Sequence, residues 1–186
     1  FDVGLQWQDS GRFALLSLSA FYNDIDQAIA RVYDARGIGR SSNIAGAINR
    51  GLELEWQTAL STRTRMSVSA TLQDTSNRDR NAAFHGRQLP GQAQTAAHLN
   101  LQHQRGAWQG LYQLDHRAYA FYDSANLLPA PDQTVHSIEL RHQWSGLALA
   151  LRLNNLTNEI YEDFNGFPKP GRTIFATLTY NGETRP

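Results

Sequence analysis

The sequence lacks cysteine, any excess of charge of one sign and any long apolar run. With no cysteine among its 186 residues, the chain has neither a disulfide framework nor thiolate chemistry. Its 17 basic and 17 acidic residues cancel, so no global electrostatic field favours nucleic acid as a partner. No apolar run approaches the roughly 18 to 20 residues that a transmembrane helix needs. These absences argue against disulfide-rich, nucleic-acid-binding and helical membrane proteins.

The strongest feature that is present is alternation with a period of two. Segment 147–154 alternates leucine with alanine, arginine and asparagine, so one of its faces carries only leucine. The same alternation recurs along the whole chain, whereas helical periodicity is nearly absent. A mean hydropathy of −0.49 fits a soluble protein. It equally fits a membrane barrel, because only every second residue of a barrel strand faces lipid.

The alternation predicts nine strands whose connections alternate in length. The strands are expected at about 2–8, 12–25, 43–57, 64–74, 93–104, 108–122, 134–144, 147–154 and 172–180. The short connections fall near 8–11, 58–63, 105–107 and 145–146, and the long ones near 26–42, 75–92, 123–133 and 155–171. An up-and-down meander then puts all short turns at one end and all long loops at the other, as in outer-membrane barrels. Leu111 and Phe121 depart from the alternation.

The tryptophans lie in a pattern that favours a membrane over a soluble protein. All four of them, Trp7, Trp56, Trp108 and Trp144, lie beside a short turn and on the apolar face of a strand. With Tyr180 they predict an aromatic girdle at one bilayer interface. Strands of about 9 to 14 residues also suit a tilted bilayer crossing. We therefore predict an all-β, antiparallel, up-and-down transmembrane β-barrel segment, with a soluble barrel or sandwich as the alternative.

Charged residues on the polar face predict structural roles. They are Glu53, Glu55, Glu139, Arg65, Arg117, Arg141 and Arg152. Paired carboxylates are also the requirement of acid–base chemistry, but the neighbouring arginines favour an ion-pair lattice inside the barrel. Such a lattice would hold the wall or cradle a plug.

The histidines do not have the spacing of a metal site. His98 and His103 are predicted on opposite faces of one strand. His136 and His142 share a face but lie about 20 Å apart at 3.3–3.4 Å per residue. No order of nucleophile, histidine and carboxylate stands out. The sequence therefore predicts no metal, no cofactor, no catalytic residue and no enzymatic activity.

Three motifs resemble, in order, signatures of TonB-dependent outer-membrane receptors. They are Phe21-Tyr22-Asn23-Asp24-Ile25-Asp26, then Asn49-Arg50-Gly51-Leu52-Glu53-Leu54-Glu55, then Asn154-Asn155-Leu156-Thr157-Asn158 with Tyr161 and Pro170-Gly171-Arg172. The signature positions are Asn49, Gly51, Glu53, Glu55, Asn154, Asn155, Leu156, Asn158, Tyr161, Pro170, Gly171 and Arg172. Their chemistry indicates architecture: glycine permits close backbone approach, asparagine bonds to nearby backbone, and Pro-Gly fixes a turn.

The resemblance implies a large barrel of the 22-stranded type whose lumen holds an N-terminal plug. Residues 1–180 are then expected to be the C-terminal part of the barrel and 181–186 a short polar tail, with the plug domain and TonB box outside this chain. The implied function is TonB-energised uptake of a scarce nutrient, such as a ferric siderophore or cobalamin, across the bacterial outer membrane. Implied partners are membrane lipid and lipopolysaccharide, the plug, TonB and the nutrient chelate. The alternative is a small stand-alone outer-membrane barrel acting as adhesin, pore or enzyme.

Residues of the long loops are the candidates for ligand contact. Binding residues concentrate on loops that a rigid scaffold holds in place. The candidates are Tyr33, Arg36, Arg40, Arg78, Arg80, His85, Arg87, Tyr161, Asp163, Phe164 and Phe167. For each of them the alternative is contact with lipopolysaccharide or with solvent.

Overall fold

The structure is a computed structural model that describes residues 1–11, 13–27, 29–33, 39–43, 46–78 and 83–180. The strands of this part of the chain are β1 (Asp2–Asp9), β2 (Ala14–Asp26), β3 (Ile29–Tyr33), β4 (Gly39–Asn43), β5 (Gly46–Ser61), β6 (Thr64–Asn77), β7 (Thr95–Arg105), β8 (Trp108–Ala118), β9 (Ala120–Phe121), β10 (Pro129–Ala130), β11 (Gln133–Trp144), β12 (Leu147–Asn154), β13 (Glu162–Phe164), β14 (Phe167–Pro168) and β15 (Thr173–Tyr180). Among the described residues, no helix is long and apolar enough to span a membrane.

Nine long strands form one antiparallel sheet in the order β1-β2-β5-β6-β7-β8-β11-β12-β15. Each strand pairs with its predecessor and its successor in the meander, which confirms the predicted up-and-down barrel segment. Within the described residues β1 and β15 are not paired with each other, so the sheet is open.

Three of the long loops contain short hairpins that the sequence did not reveal. They are formed by β3 with β4, β9 with β10 and β13 with β14. Their ladders are only two to five residues long, too short to produce a readable alternation.

Several strand ends differ from the prediction. The sixth long strand, expected to reach residue 122, ends at Ala118 because Tyr119 has a left-handed φ of 59°. Phe121 departs from the alternation because it belongs to the hairpin that follows. The third long strand begins at Gly46 and runs on to Ser61 through a bulge near the turn.

Burial in this part of the chain is that of a wall rather than a packed core. The buried apolar residues are small, namely Ala14, Ala47, Ala93, Ala118 and Ala148. Large apolar side chains stay exposed, among them Leu5, which is 77% exposed. A single sheet with no second layer leaves both of its faces open, as a barrel wall does in isolation.

Candidate functional site

The strand register assigns each side chain to one of two faces, because directly opposed residues of antiparallel strands share a face. One row of opposed residues runs Trp7, Leu16, Trp56, Val68 and Leu99, and is wholly apolar. The row beside it runs Ser17, Glu55, Ser69, His98 and Asp115, and is polar. The sheet therefore has an apolar outer face and a polar inner face.

A hydrogen-bonded chain crosses the inner face. His98 Nδ1 lies 2.6 Å from Asp115 Oδ1, and the other ring nitrogen lies 2.7 Å from Asn100 Nδ2. Asn100 Oδ1 accepts a bond of 3.0 Å from Gln113 Nε2. The guanidinium of Arg152 in turn donates to Gln113 Oε1 at 2.8 Å. Satisfied polar networks of this kind hold side chains in one arrangement.

The ion-pair lattice predicted for this face is formed only at one place within the described residues. Arg152 and Glu139 approach to 3.7 Å. The register explains why no arginine of the described strands lies opposite Glu55 or Glu53. The residues directly opposite Glu55 are Ser17 and Ser69, and Ser19 Oγ donates to Glu53 at 3.4 Å.

Gly51 lies at a crowded place in the wall. A Cβ at this position would come within 2.3 Å of Leu72 O and 2.8 Å of Phe21 Cζ. Beside it, a cavity of about 340 Å³ opens on the polar face. Asn49 is part of its lining, and Asn49 Oδ1 is buried without a hydrogen-bond partner in the described part of the chain.

The C-terminal motif brings its asparagines together as the anchor of the last long loop. Asn155 is 2% exposed with a φ of 52°, and its side chain accepts from Glu159 N at 2.8 Å and donates to Glu159 O at 2.9 Å. Asn158, with a φ of 56°, accepts from Arg172 N at 2.8 Å. A Cβ at Gly171 would lie 2.5 Å from Asn158 Oδ1, so the glycine leaves room for this bond.

The outer half of the same loop is a small hairpin that displays aromatic residues. Phe164 and Phe167 are opposed in the ladder and are 49% and 71% exposed. An ion pair between Asp163 and Lys169 ties its two arms, and Lys169 N donates to Tyr161 O at 2.9 Å. The hydrogen bond to Asp163 raises the pKa of the Lys169 ammonium above its usual value.

Gln88 joins its own loop, between β6 and β7, to the loop after β8, and the sequence analysis did not identify it. This side chain is 7% exposed and donates to Gln92 O at 2.6 Å and to Tyr119 O at 2.9 Å. Its backbone N–H donates to Asn126 Oδ1 at 2.7 Å, and Asn126 Nδ2 donates back to Gln88 O at 3.0 Å. A glutamine in a polar loop carries no pattern that distinguishes it from a solvated one.

A second contact ties the loop after β8 to the hairpin of the last loop. The carbonyl of Glu162 accepts from Gln133 Nε2 at 3.2 Å and from the Tyr122 hydroxyl at 3.4 Å. Burial raises the pKa of the Tyr122 hydroxyl, and the nearby carboxylates of Glu162 and Asp163 raise it further. Three long loops are thus joined into one assembly above the sheet.

The remaining candidate residues are distributed over the same end. His85 and Arg87 are exposed on the loop between β6 and β7. Arg78 forms ion pairs with Asp24 and Asp26, the latter at 3.4 Å. In the β3–β4 ladder Tyr33 is opposite Gly39 and Arg40 is opposite Val32. The structure describes only the backbone of Tyr33 and Arg40. Arg36 and Arg80 lie outside the described residues.

At the opposite end, the aromatic residues named for the girdle lie close to the short turns. Trp7, Trp56, Trp108, Trp144 and Tyr180 are all exposed, by between 39% and 76%. Trp144 and Tyr180 share one row of the register through Leu147. No group of three histidine, cysteine, aspartate or glutamate side chains suited to a metal is found among the residues the structure describes.

The family model described as "TonB dependent receptor-like, beta-barrel" matches residues 1–156. The chain belongs to this family. Receptors of the family are transporters of the bacterial outer membrane rather than enzymes, in agreement with the sequence-based prediction. A search of curated proteins found no significant match.

Solved structures of TonB-dependent receptors share the fold. The siderophore receptor PiuA from Acinetobacter baumannii superposes with a TM-score of 0.80 at 16% identity, over 97% of this chain and 28% of that one. The ferric yersiniabactin uptake receptor FyuA from Yersinia pestis gives 0.74 at 14% identity, over 96% and 27%. The ferric-catecholate import receptor Fiu from E. coli gives 0.75 at 18% identity, over 96% and 27%. The chain thus spans less than a third of the length of these receptors.

Membership of the TonB-dependent receptor family orients the sheet. In outer-membrane barrels the apolar face meets lipid, the polar face lines the lumen, and short turns face the periplasm. The hydrogen-bonded chain from Asp115 to Arg152 therefore lines the lumen, and the joined loops stand at the extracellular mouth. The role of the aromatic residues at the periplasmic interface and the ligand contacts of the loops stay predictions.

Proposed function

We propose that this chain forms part of the wall and mouth of a receptor that imports a nutrient chelate with energy supplied through TonB. The observation that carries the proposal is the family match over residues 1–156. Support comes from structural neighbours whose names refer to siderophore, ferric yersiniabactin and ferric-catecholate uptake. A ferric siderophore or a similar chelate such as cobalamin is the substrate class that we propose.

The open sheet supports a place in a larger barrel. Unpaired backbone groups at the edges of β1 and β15 would find no water within the bilayer, at a cost of several kcal/mol each. We propose that further strands of a 22-stranded type of barrel cover both edges, so that 1–180 form the C-terminal part of its wall. A plug domain and its TonB-contacting segment complete the transporter. A small stand-alone barrel, the alternative, would instead need only one further strand between β1 and β15 to close the sheet.

The mouth supplies a scaffolded surface for the chelate. The hairpin that carries Phe164 and Phe167 is tied by the Asp163–Lys169 ion pair and joined to the neighbouring loop through Glu162. Exposed aromatic rings on a fixed hairpin present a large contact area at little cost in conformational entropy. We propose that these two rings, rather than the lumen network, make the first contact with the chelate.

Uptake measurements in cells test the proposal. Cells with and without the receptor, each in TonB-containing and TonB-deficient backgrounds, are given a panel of ⁵⁵Fe-siderophores and labelled cobalamin. We expect uptake of one chelate only where receptor and TonB are both present. Equal uptake of every chelate of the panel by all four strains would contradict the proposal.

A loop variant tests the mouth separately. The double substitution Phe164→Ala and Phe167→Ala is expected to weaken binding of the transported chelate to whole cells at least about tenfold, since buried aromatic anchors are worth 2 kcal/mol or more. Leu127→Ala is the matched control, because Leu127 is 80% exposed on a neighbouring loop. Equal binding by both variants would place the first contact elsewhere.

A further inference from the structure

The lipid-facing side of β7, β8 and β11 has an empty place near the periplasmic turns. Gly110 is opposite His103 on one side and Leu140 on the other. Nothing lies within 4 Å of the position that a Cβ would take there. Along β8 the flanking residues on the same face are Trp108 and Tyr112, as the period of two requires. The four surrounding side chains therefore enclose a notch whose floor is bare backbone.

Two arginines stand at the periplasmic rim beside this notch. Arg105, the last residue of β7, is directly opposite Trp108, the first residue of β8, and both border the turn between these strands. Arg63 lies in the adjacent turn, and its carbonyl accepts from Gln104 N at 2.9 Å. Both arginines are exposed, and neither forms an ion pair within the part of the chain that the structure describes. The rim therefore presents uncompensated positive charge at the height of the bilayer interface.

A histidine held between two indole rings completes the rim. The His142 ring lies 4.3 Å, centroid to centroid, from both Trp108 and Trp144. Its Nδ1 is buried with no hydrogen-bond partner among the described residues. The other ring nitrogen is the one that remains for a ligand at the surface. Imidazole and guanidinium groups are donors suited to a phosphate.

We propose that this site binds one anionic glycerophospholipid of the periplasmic leaflet. Its phosphate lies against Arg105, with Arg63 and His142 as neighbouring donors, and one acyl chain lies in the notch at Gly110. Arg105 and His142 each lie two residues from the row of Gly110 along their own strands, which is roughly 7 Å at 3.4 Å per residue. That span suits a headgroup at the interface and a chain that enters the hydrocarbon region. Charge complementarity selects an anionic lipid over a zwitterionic one.

Native mass spectrometry of the intact receptor in mild detergent tests the site. The probes are phosphatidylglycerol, phosphatidylcholine with the same acyl chains, and inorganic phosphate. We expect the receptor to retain phosphatidylglycerol in preference to phosphatidylcholine. Arg105→Gln is expected to lower that retention about fivefold. The matched control is Arg87→Gln, which removes an exposed arginine at the extracellular end.

A second variant tests the notch independently of charge. Gly110→Leu fills the empty place and is expected to lower retention of phosphatidylglycerol while both arginines remain. Folding is checked by the heat-dependent shift in gel mobility. If Gly110→Leu does not fold, the surface substitution Arg105→Gln still tests the lipid site. Retention unchanged by Arg105→Gln overturns the proposal. Displacement of the lipid by inorganic phosphate, with no effect of Gly110→Leu, also overturns it, because the site would then recognise phosphate alone.

Discussion

The ring of Phe21 on β2 lies over Gly51 on β5, its direct partner in the ladder, with Phe21 Cζ 2.8 Å from the position a Cβ would take. The carbonyl of Leu72 on the other neighbouring strand lies 2.3 Å from that position. The glycine of the motif is therefore required because an aromatic ring and a backbone carbonyl occupy both sides. An aromatic ring over a strand glycine also shields the exposed backbone.

Gly51→Ala is expected to destabilise the barrel by about 1 to 3 kcal/mol, because overpacking forces the backbone to shift. The measurement is the midpoint of urea unfolding, followed by the loss of the fast-migrating folded band on gels. Gly110→Ala is the control, since nothing lies within 4 Å of its Cβ position. Equal midpoints for the two variants would show that the crowding at Gly51 is relieved at no cost.

Asn155→Ala is expected to release the last long loop. Asn155 makes a pair of hydrogen bonds to the backbone of Glu159 and has a positive φ that asparagine tolerates better than alanine. Loss of these bonds at a buried site costs about 1 to 3 kcal/mol. Limited proteolysis should then cut within 155–171 much faster than in the unchanged receptor. Asn165→Ala, at an exposed position of the same loop, should leave the rate unchanged.

Gln88→Ala is expected to loosen the contact between the loop before β7 and the loop after β8, which the backbone bonds between Gln88 and Asn126 still hold. The carbonyls of Gln92 and Tyr119 would each lose a donor from a partly buried hydrogen bond, at a cost of about 0.5 to 1.5 kcal/mol per bond. Hydrogen exchange at 119–126 should become faster, while exchange in β7 and β8 stays slow. Gln92→Ala is the control, because the exposed Gln92 takes part through its backbone carbonyl. Unchanged exchange in Gln88→Ala would mean that the loops hold together without it.

The contact of Tyr122 with the last loop is expected to weaken at alkaline pH. Burial and the neighbouring carboxylates raise the pKa of Tyr122 above its ordinary value of 10.0, so folding favours the neutral phenol. That stabilisation is complete below pH 10 and is lost as the pH rises through the raised pKa. Phenolate absorbance of the receptor minus that of Tyr122→Phe should titrate with a midpoint above 10. The control is Tyr119→Phe, at a residue 64% exposed; a midpoint for Tyr122 at or below 10 would contradict the inference.

The fold was predictable because alternate residues of a strand in a membrane wall face lipid and lumen, so the two faces can be recognised from the sequence. Segment 147–154 shows this most clearly, since its leucines face lipid and Arg152 faces the lumen network. The loops were less predictable, because their order depends on single polar side chains. Gln88 is buried and joins two loops although no pattern in the sequence distinguishes it, whereas the C-terminal motif identified Asn155 as a residue that bonds to nearby backbone. The expected arginine partners of Glu53 and Glu55 were also wrong. Strand register, not composition, decides which residue lies opposite each of them.

The four tryptophans provide the most direct test of how the sheet lies in the bilayer. Trp7, Trp56, Trp108 and Trp144 all lie on the apolar face near the short turns, and indole rings settle at the boundary between headgroups and hydrocarbon. Each is replaced by phenylalanine in turn, and the fluorescence it contributes is obtained as the difference from the unchanged receptor. Lipids brominated near the carbonyl end should quench each contribution more than lipids brominated near the chain terminus. The same depth in the bilayer is expected for all four indole rings, because they lie along one periplasmic rim. Strongest quenching from the chain terminus would instead bury these rings at the bilayer centre and contradict the girdle.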